Sequence, residues 1–233
     1  MKMKRMITFA TVTTLALVLN ACGGGSSSSG TTIQGKLVDS PVSGAQYRCG
    51  QVDSVTKADG TFACETLPVT FYVGGVTLGT VSQLHEDHYV TPQDLVGVPR
   101  DNYDTRVNNV AVFLQSLDDD GNIDTSIQIR KETRDRLKDK QNNVATMTYV
   151  QITELLTEVN AARVVTQEQA RVHLQTQLQS VAATNATTAA NTAATNATAA
   201  ANTAATNATT AANTAATNAT TAANTAATNV GIK

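Results

Sequence analysis

Polar and apolar positions change their rhythm several times along this chain. Lys2, Lys4 and Arg5 precede a run, residues 6–19, that is largely apolar or Thr, and small or polar residues follow. That order is the layout of a secretory signal. From Thr32 the apolar residues fall into short β-rich runs at 33–38, 41–44, 45–49, 61–64, 69–73 and 76–81. Gly74-Gly75 between two Val-rich runs, and Asp59-Gly60 ahead of Phe62, predict hairpins, because such turns need positive φ. Leu37, Tyr47, Phe62, Phe71 and Leu78 are the expected core. The period then becomes helical. Val110, Ala111, Leu114 and Leu117 share one face, as do Ile152, Leu155, Leu156 and Val159. Thr166 with Gln169 opens a third helix as a capping box, with Ala170, Leu174 and Leu178 on its inner face and His173 at the surface or boundary. Residues 132–140 read as a solvated helix face with a Glu132–Arg136 pair. Strands followed by helices predict an α+β domain: a small antiparallel β-sandwich at 33–90 and a helical subdomain at 91–181.

From Ala182 an 11-residue unit, Ala-Ala-Thr-Asn-Ala-Thr-Thr-Ala-Ala-Asn-Thr, occurs four times with Ala199 as its one change, and a partial copy ends at Asn229. Eleven residues make three turns at about 3.67 per turn, so each position of the unit forms a nearly straight row, such as Thr184, Thr195, Thr206, Thr217 and Thr228. Ala favours a helix and Thr and Asn weaken it, so the expectation for 182–229 is low-complexity sequence that is either helical or disordered. A spacer and a helix-associating stalk are both open to it. The Thr and Asn positions are expected on every side of such a helix.

Composition narrows the functional classes. The 233 residues carry a formal charge of −2, which becomes −5 once Lys2, Lys4 and Arg5 leave with residues 1–21. An acidic balance argues against nucleic acid as a partner. No stretch after the signal has the 18 or more apolar residues of a membrane span, so contact with a membrane is expected through a lipid.

The exit from the signal, Leu19-Asn20-Ala21-Cys22, resembles the bacterial lipobox. The resemblance implies that Cys22 receives diacylglycerol, that cleavage precedes it, and that its new amino group is acylated, for instance with palmitate. Residues 22–32 then form a Gly/Ser tether. Gly23 stands where an Asp would resemble an inner-membrane retention mark, so outer-membrane delivery is expected. Further on, Gly35-Lys36-Leu37-Val38-Asp39, Pro41-Val42-Ser43-Gly44-Ala45 and Lys57-Ala58-Asp59-Gly60-Thr61-Phe62 resemble the transthyretin-like, carboxypeptidase-regulatory β-sandwich module. With residues 73–79 they are similar to N-terminal regions of accessory colonization factor-type surface lipoproteins. In that family this part is accessory to a zinc protease; no His-Glu-x-x-His stands in this chain, so an enzyme is not expected. The repeat resembles the alanine-rich helical antifreeze repeat, and a terminal Lys233, in residues 230–233 after such a stalk, resembles the peptidoglycan-linked major lipoprotein.

Cys49 and Cys64 are an even pair in an oxidising compartment and are expected as a disulfide, with a metal site as the alternative. Asp118, Asp120, Asn122 and Asp124 alternate around Gly121, the pattern by which one loop collects oxygens for a hard cation; calcium is the candidate cofactor. In the EF-hand register position 12 is Ile127 instead of Glu, and an acidic turn is the other reading. His85 and His88 flank Glu86 and Asp87, a polar loop or a partial transition-metal set. The leading expectation is a non-enzymatic surface-binding or adhesion lipoprotein with a repeat spacer and an unidentified protein, glycan or peptidoglycan partner. The alternatives are an outer-membrane to peptidoglycan tether through Lys233, and an ice-binding repeat.

Overall fold

The computed structural model describes residues 32–230. The signal, Cys22, tether residues 22–31 and Lys233 lie outside the described residues.

The fold is mixed α+β. Strands β1 (Ile33–Leu37), β2 (Val42–Ser43), β3 (Gln46–Cys49), β4 (Val52–Val55), β5 (Thr61–Cys64), β6 (Val69–Val73), β7 (Val76–Val81) and β8 (Tyr89–Val90) come first. All but β2 form an antiparallel sheet ordered β4-β3-β6-β7 and a second sheet ordered β5-β1-β8, in which β1 is antiparallel to β5 and parallel to β8. Alternation explains the faces: Val69, Phe71 and Val73 of β6 are fully buried, and the residues between them are half-buried. Phe62 on β5 meets Phe71 on β6 edge-on at 5.0 Å and Tyr47 on β3 at 5.7 Å, so aromatic contact joins the two sheets. Gly74-Gly75 makes the β6–β7 hairpin as expected, with Gly74 at φ 62°. Asp59-Gly60 is a turn but not a hairpin. A tight turn at Gly50 has already paired β4 with β3, and the chain crosses to the other sheet, where Leu37 N–H donates to Gly60 C=O.

The later elements are α1 (Pro92–Val96), α2 (Thr105–Ser116), β9 (Ile127–Gln128), α3 (Lys131–Leu137), a 3-10 turn (Val144–Thr146), α4 (Tyr149–Glu158) and α5 (Gln167–Val230). Side-chain caps begin several of them: Thr91 with Asp94, Asp104, and Thr148 with Gln151. Thr166 and Gln169 exchange the expected reciprocal bonds at the start of α5. The first helix lies so close to β7 that a Cβ on Gly79 would stand 2.1 Å from the Leu95 carbonyl oxygen. Strand β9 returns to pair in parallel with β2. Helix α2 is enclosed on all sides, with nine of its twelve residues buried. One apolar cluster runs from Leu37 through Phe113 to Leu174, so residues before and after position 90 share a core. The expected Glu132–Arg136 pair does not form. Arg136 donates to the Val159 carbonyl at the end of α4, and Lys131–Asp135 is the i,i+4 pair of α3.

Helix α5 packs Ala170 and Leu174 into the core, half-buries Leu178, and stands exposed from Ala186 to Thr228. Every Thr of the repeats donates its hydroxyl to the carbonyl four residues earlier. The expectation of polar groups on every side is corrected by the helix itself. At about 98° per residue, Ala189, Ala182, Ala186, Ala190 and Ala183 are neighbours in that order, one uninterrupted alanine face roughly 130° wide. The Thr and Asn rows fill the remainder.

Candidate functional site

Cys49 on β3 and Cys64 on β5 form a disulfide with Cα atoms 5.8 Å apart, each residue 1% exposed, which ties one sheet to the other. The remaining chemistry gathers at the root of α5, where α2, the loop after it and the β1–β2 turn meet.

The acidic loop leaves α2 at Leu117 and ends at β9. Asp118 is 1% exposed; its Oδ1 accepts from the Gln128 N–H at 2.8 Å and its Oδ2 has no partner. Burial raises the Asp118 pKa; the Gln128 N–H opposes that and the Asp120 carboxylate adds to it. Asp119 is paired with Arg130. Asp120 Oδ1 accepts from Asn122 N–H at 2.7 Å, Asn122 Oδ1 from Asp124 N–H at 3.4 Å, and Gly121 turns at φ 73°. Asp124 points away, with its Oδ1 3.8 Å from His173 Nδ1. Of the four expected ligands, then, the fold brings Asp118 and Asp120 together and sends Asn122 and Asp124 elsewhere along the loop. Among the described residues no group of three or more His, Cys, Asp or Glu converges as a metal site.

Beside the loop is a buried polar knot that the sequence pattern missed. Ser40, at φ 60° in the β1–β2 turn, donates its hydroxyl to the Ile123 carbonyl at 2.5 Å, and His173 Nε2 lies 3.1 Å from Ser40 Oγ. Asp39 is fully buried and accepts from Gln115 Nε2 at 2.9 Å; that amide also donates to the Ala170 carbonyl of α5. Ser116 Oγ accepts from Val165 N–H. His173 is therefore a core residue at 8% exposure, because it shares the inner face of α5 with Ala170 and Leu174. Burial lowers its pKa, against the Asp39 carbonyl and the Asp124 carboxylate, which raise it. Serine, histidine and aspartate in this order suggest a nucleophile set, but the geometry is that of a fastening. The Ser40 hydroxyl is 1% exposed and already committed to Ile123, and Asp124 is too far from the ring for a hydrogen bond.

The other histidines diverge. His85 Nε2 meets Asp94 Oδ1 at 3.0 Å, whereas His88 Nδ1 meets the Gln34 carbonyl at 2.8 Å. Between them Asp87 accepts from Arg100 at 2.5 Å and from Asn185 Nδ2 at 2.8 Å, so the first repeat unit is tied to the β half. An open cleft of about 570 Å³ lies here, lined by His85, Glu86, Asp87, Arg100, Asn185 and Thr188. Arg100 is occupied by Asp87, Asp94 and the Tyr89 carbonyl.

Comparison of the chain with protein-family models, with curated proteins and with solved structures finds no match. Fold and site together define a disulfide-bonded α+β domain that carries a long helix, free of Asp, Glu, Lys and Arg from Val172 to Thr228 and fastened at its root by buried polar contacts.

Proposed function

We propose that this chain is an exported, lipid-anchored protein of the outer membrane whose α+β domain binds an envelope or extracellular partner. The observation that carries the reading is the Leu19-Asn20-Ala21-Cys22 exit from a signal, followed at once by the Gly/Ser tether. The Cys49–Cys64 bond supports it, since such bonds persist in oxidising compartments. The two sheets meeting through Tyr47, Phe62 and Phe71 fit the transthyretin-like sandwich that the sequence resembles. In this reading Cys22 carries the lipid, the domain is a non-enzymatic binding module for a protein, glycan or peptidoglycan, and α5 is its spacer.

Treating intact cells with a protease, with an epitope inserted in the exposed loop at Asp101 and a periplasmic protein as control, tests the placement. Cleavage with the control intact is the expected result for a surface binder. Protection until the membrane is permeabilised would overturn surface exposure and direct the search to Lys233 on purified peptidoglycan. Incorporation of a labelled fatty acid into the wild type and not into a Cys22→Ser variant is expected; an unlabelled wild type would remove the lipid anchor from the reading.

A second reading places function on the repeats. The uninterrupted alanine face beside ordered Thr rows, repeating about every 16 Å along the axis, favours ice binding by α5. Inhibition of ice recrystallisation by the full chain, absent in a variant with Lys at Ala190, Ala201 and Ala212, is what that reading requires.

A further inference from the structure

We infer that the loop from Asp118 to Asp124 is a calcium site built on the carboxylates of Asp118 and Asp120. The inference is independent of where the protein resides. It rests on Asp118, a residue 1% exposed whose Oδ2 is buried and has no hydrogen-bond partner. A buried carboxylate oxygen left unpaired is costly, and native folds supply a partner for such groups. Here the neighbour is a second carboxylate, Asp120, which makes the need for positive charge greater.

Among the described residues neither Asp118 nor Asp120 is in an ion pair with Lys, Arg or His. Arg130, the base nearest in the chain, is paired with Asp119. His173, the titratable group that α5 brings to the loop, faces Ser40 and Asp124. Arg163 lines the hollow between residues 121–124 and α5 without pairing with either carboxylate.

The donor set selects the ion. Carboxylate and backbone oxygens, without nitrogen or sulfur, suit a hard cation and not zinc or copper. Calcium accepts six to eight oxygens in irregular geometry and can take its remaining ligands from loop carbonyls and water, whereas magnesium demands a near-ideal octahedron. With two carboxylates at the centre the affinity belongs to the weak, extracellular class, with Kd on the order of 0.1–1 mM. The same loop supplies the Ile123 carbonyl to Ser40 and sets Asp124 beside His173. A bound ion would therefore stiffen the segment on which the root of α5 rests.

The test uses the full chain, made metal-free with a chelator, and follows its Tm at pH 7.4 as CaCl2 or MgCl2 is added. Calcium at 5 mM is expected to raise Tm by about 3–6 °C, with magnesium giving much less. Asp118→Asn keeps an acceptor for the Gln128 N–H while removing the charge, and Asp120→Asn changes an exposed side chain that should not disturb folding. Each is expected to weaken the calcium response at least tenfold by calorimetric titration. An unchanged wild-type Tm up to 10 mM calcium would overturn the site, as would an equal response in Asp120→Asn. A metal-independent rise in Tm in Asp118→Asn, with no calcium response in the wild type, would mean that the two acids share a proton instead of a cation.

Discussion

Asp39 is enclosed at the junction of the β1–β2 turn, α2 and α5, with one oxygen held by Gln115 and the other, Oδ1, unpartnered. Burial pushes its pKa up to about 7, against the Gln115 hydrogen bond, which lowers it. The folded state therefore keeps a proton that the unfolded chain releases near pH 4. This contribution to stability is fully present below that pH and is lost as pH rises to about 7. The shift corresponds to an effect on the order of 4 kcal/mol. Asp39→Asn retains the acceptor for Gln115 and cannot ionise. Its unfolding free energy, measured in urea from pH 4 to pH 8, is expected to gain on the wild type until about pH 7 and then run parallel. A difference that stays constant across that range would show that Asp39 is ionised in the fold. The residues around it were hard to read in the sequence. Gln115 and Ser116 sit among apolar positions of α2 and look solvent-facing on a one-sided helix. They are buried because α2 is covered on every side. For His173 the signal was present: the spacing 170, 173, 174 puts it on the inner stripe of its helix.

Among the elements, the Cys49–Cys64 bond closes a separation of 15 residues between strands of different sheets. In the chain-entropy account such a loop contributes about 3 kcal/mol. Cys49→Ser with Cys64→Ser is expected to lower the unfolding free energy by that amount, read as a lower urea midpoint, and reductant added to the wild type should reproduce the loss. Reductant that leaves the midpoint unmoved would mean that packing of Tyr47, Phe62 and Phe71 holds the sheets together by itself. Strand β6 was legible because its buried residues Val69, Phe71 and Val73 are spaced two apart, and β7 opens the same way with Val76 and Leu78. Strand β4, Val-Asp-Ser-Val on a sheet edge with no residue fully buried, gave no such signal. Strand β9 is two residues long and owes its existence to pairing with β2, far away in the chain, which local periodicity does not report. The acidic loop follows the same division. Its composition announced a cation loop, but the unpartnered Oδ2 of Asp118 depends on how β9 and the core enclose it.

At the largest scale, α5, with 64 residues, is the longest element of the described residues. Its exposed part has no charge to form ion pairs and no large apolar group to bury, so it stands on alanine propensity and on Thr hydroxyls bonded back to the backbone. A rod and a coil of the same composition differ in length in a way that one measurement separates. Labels on Thr188→Cys and Thr221→Cys, in a Cys22→Ser background, span 33 residues of the helix, about 50 Å at the helical rise. Deleting residues 204–214, one whole unit, should shorten that distance to about 33 Å in electron–electron resonance. The distal alanine face should keep its orientation, because 11 residues close three turns. A flexible chain would instead give roughly 30 Å before the deletion and about 25 Å after it, both broad. The linear outcome makes α5 a ruler whose length is set by the number of repeats, so that gain or loss of a unit moves whatever lies beyond it by a fixed step without turning it. The coil outcome would leave α5 ordered only as far as its contacts with the domain, Leu174 in the core and Asn185 on Asp87.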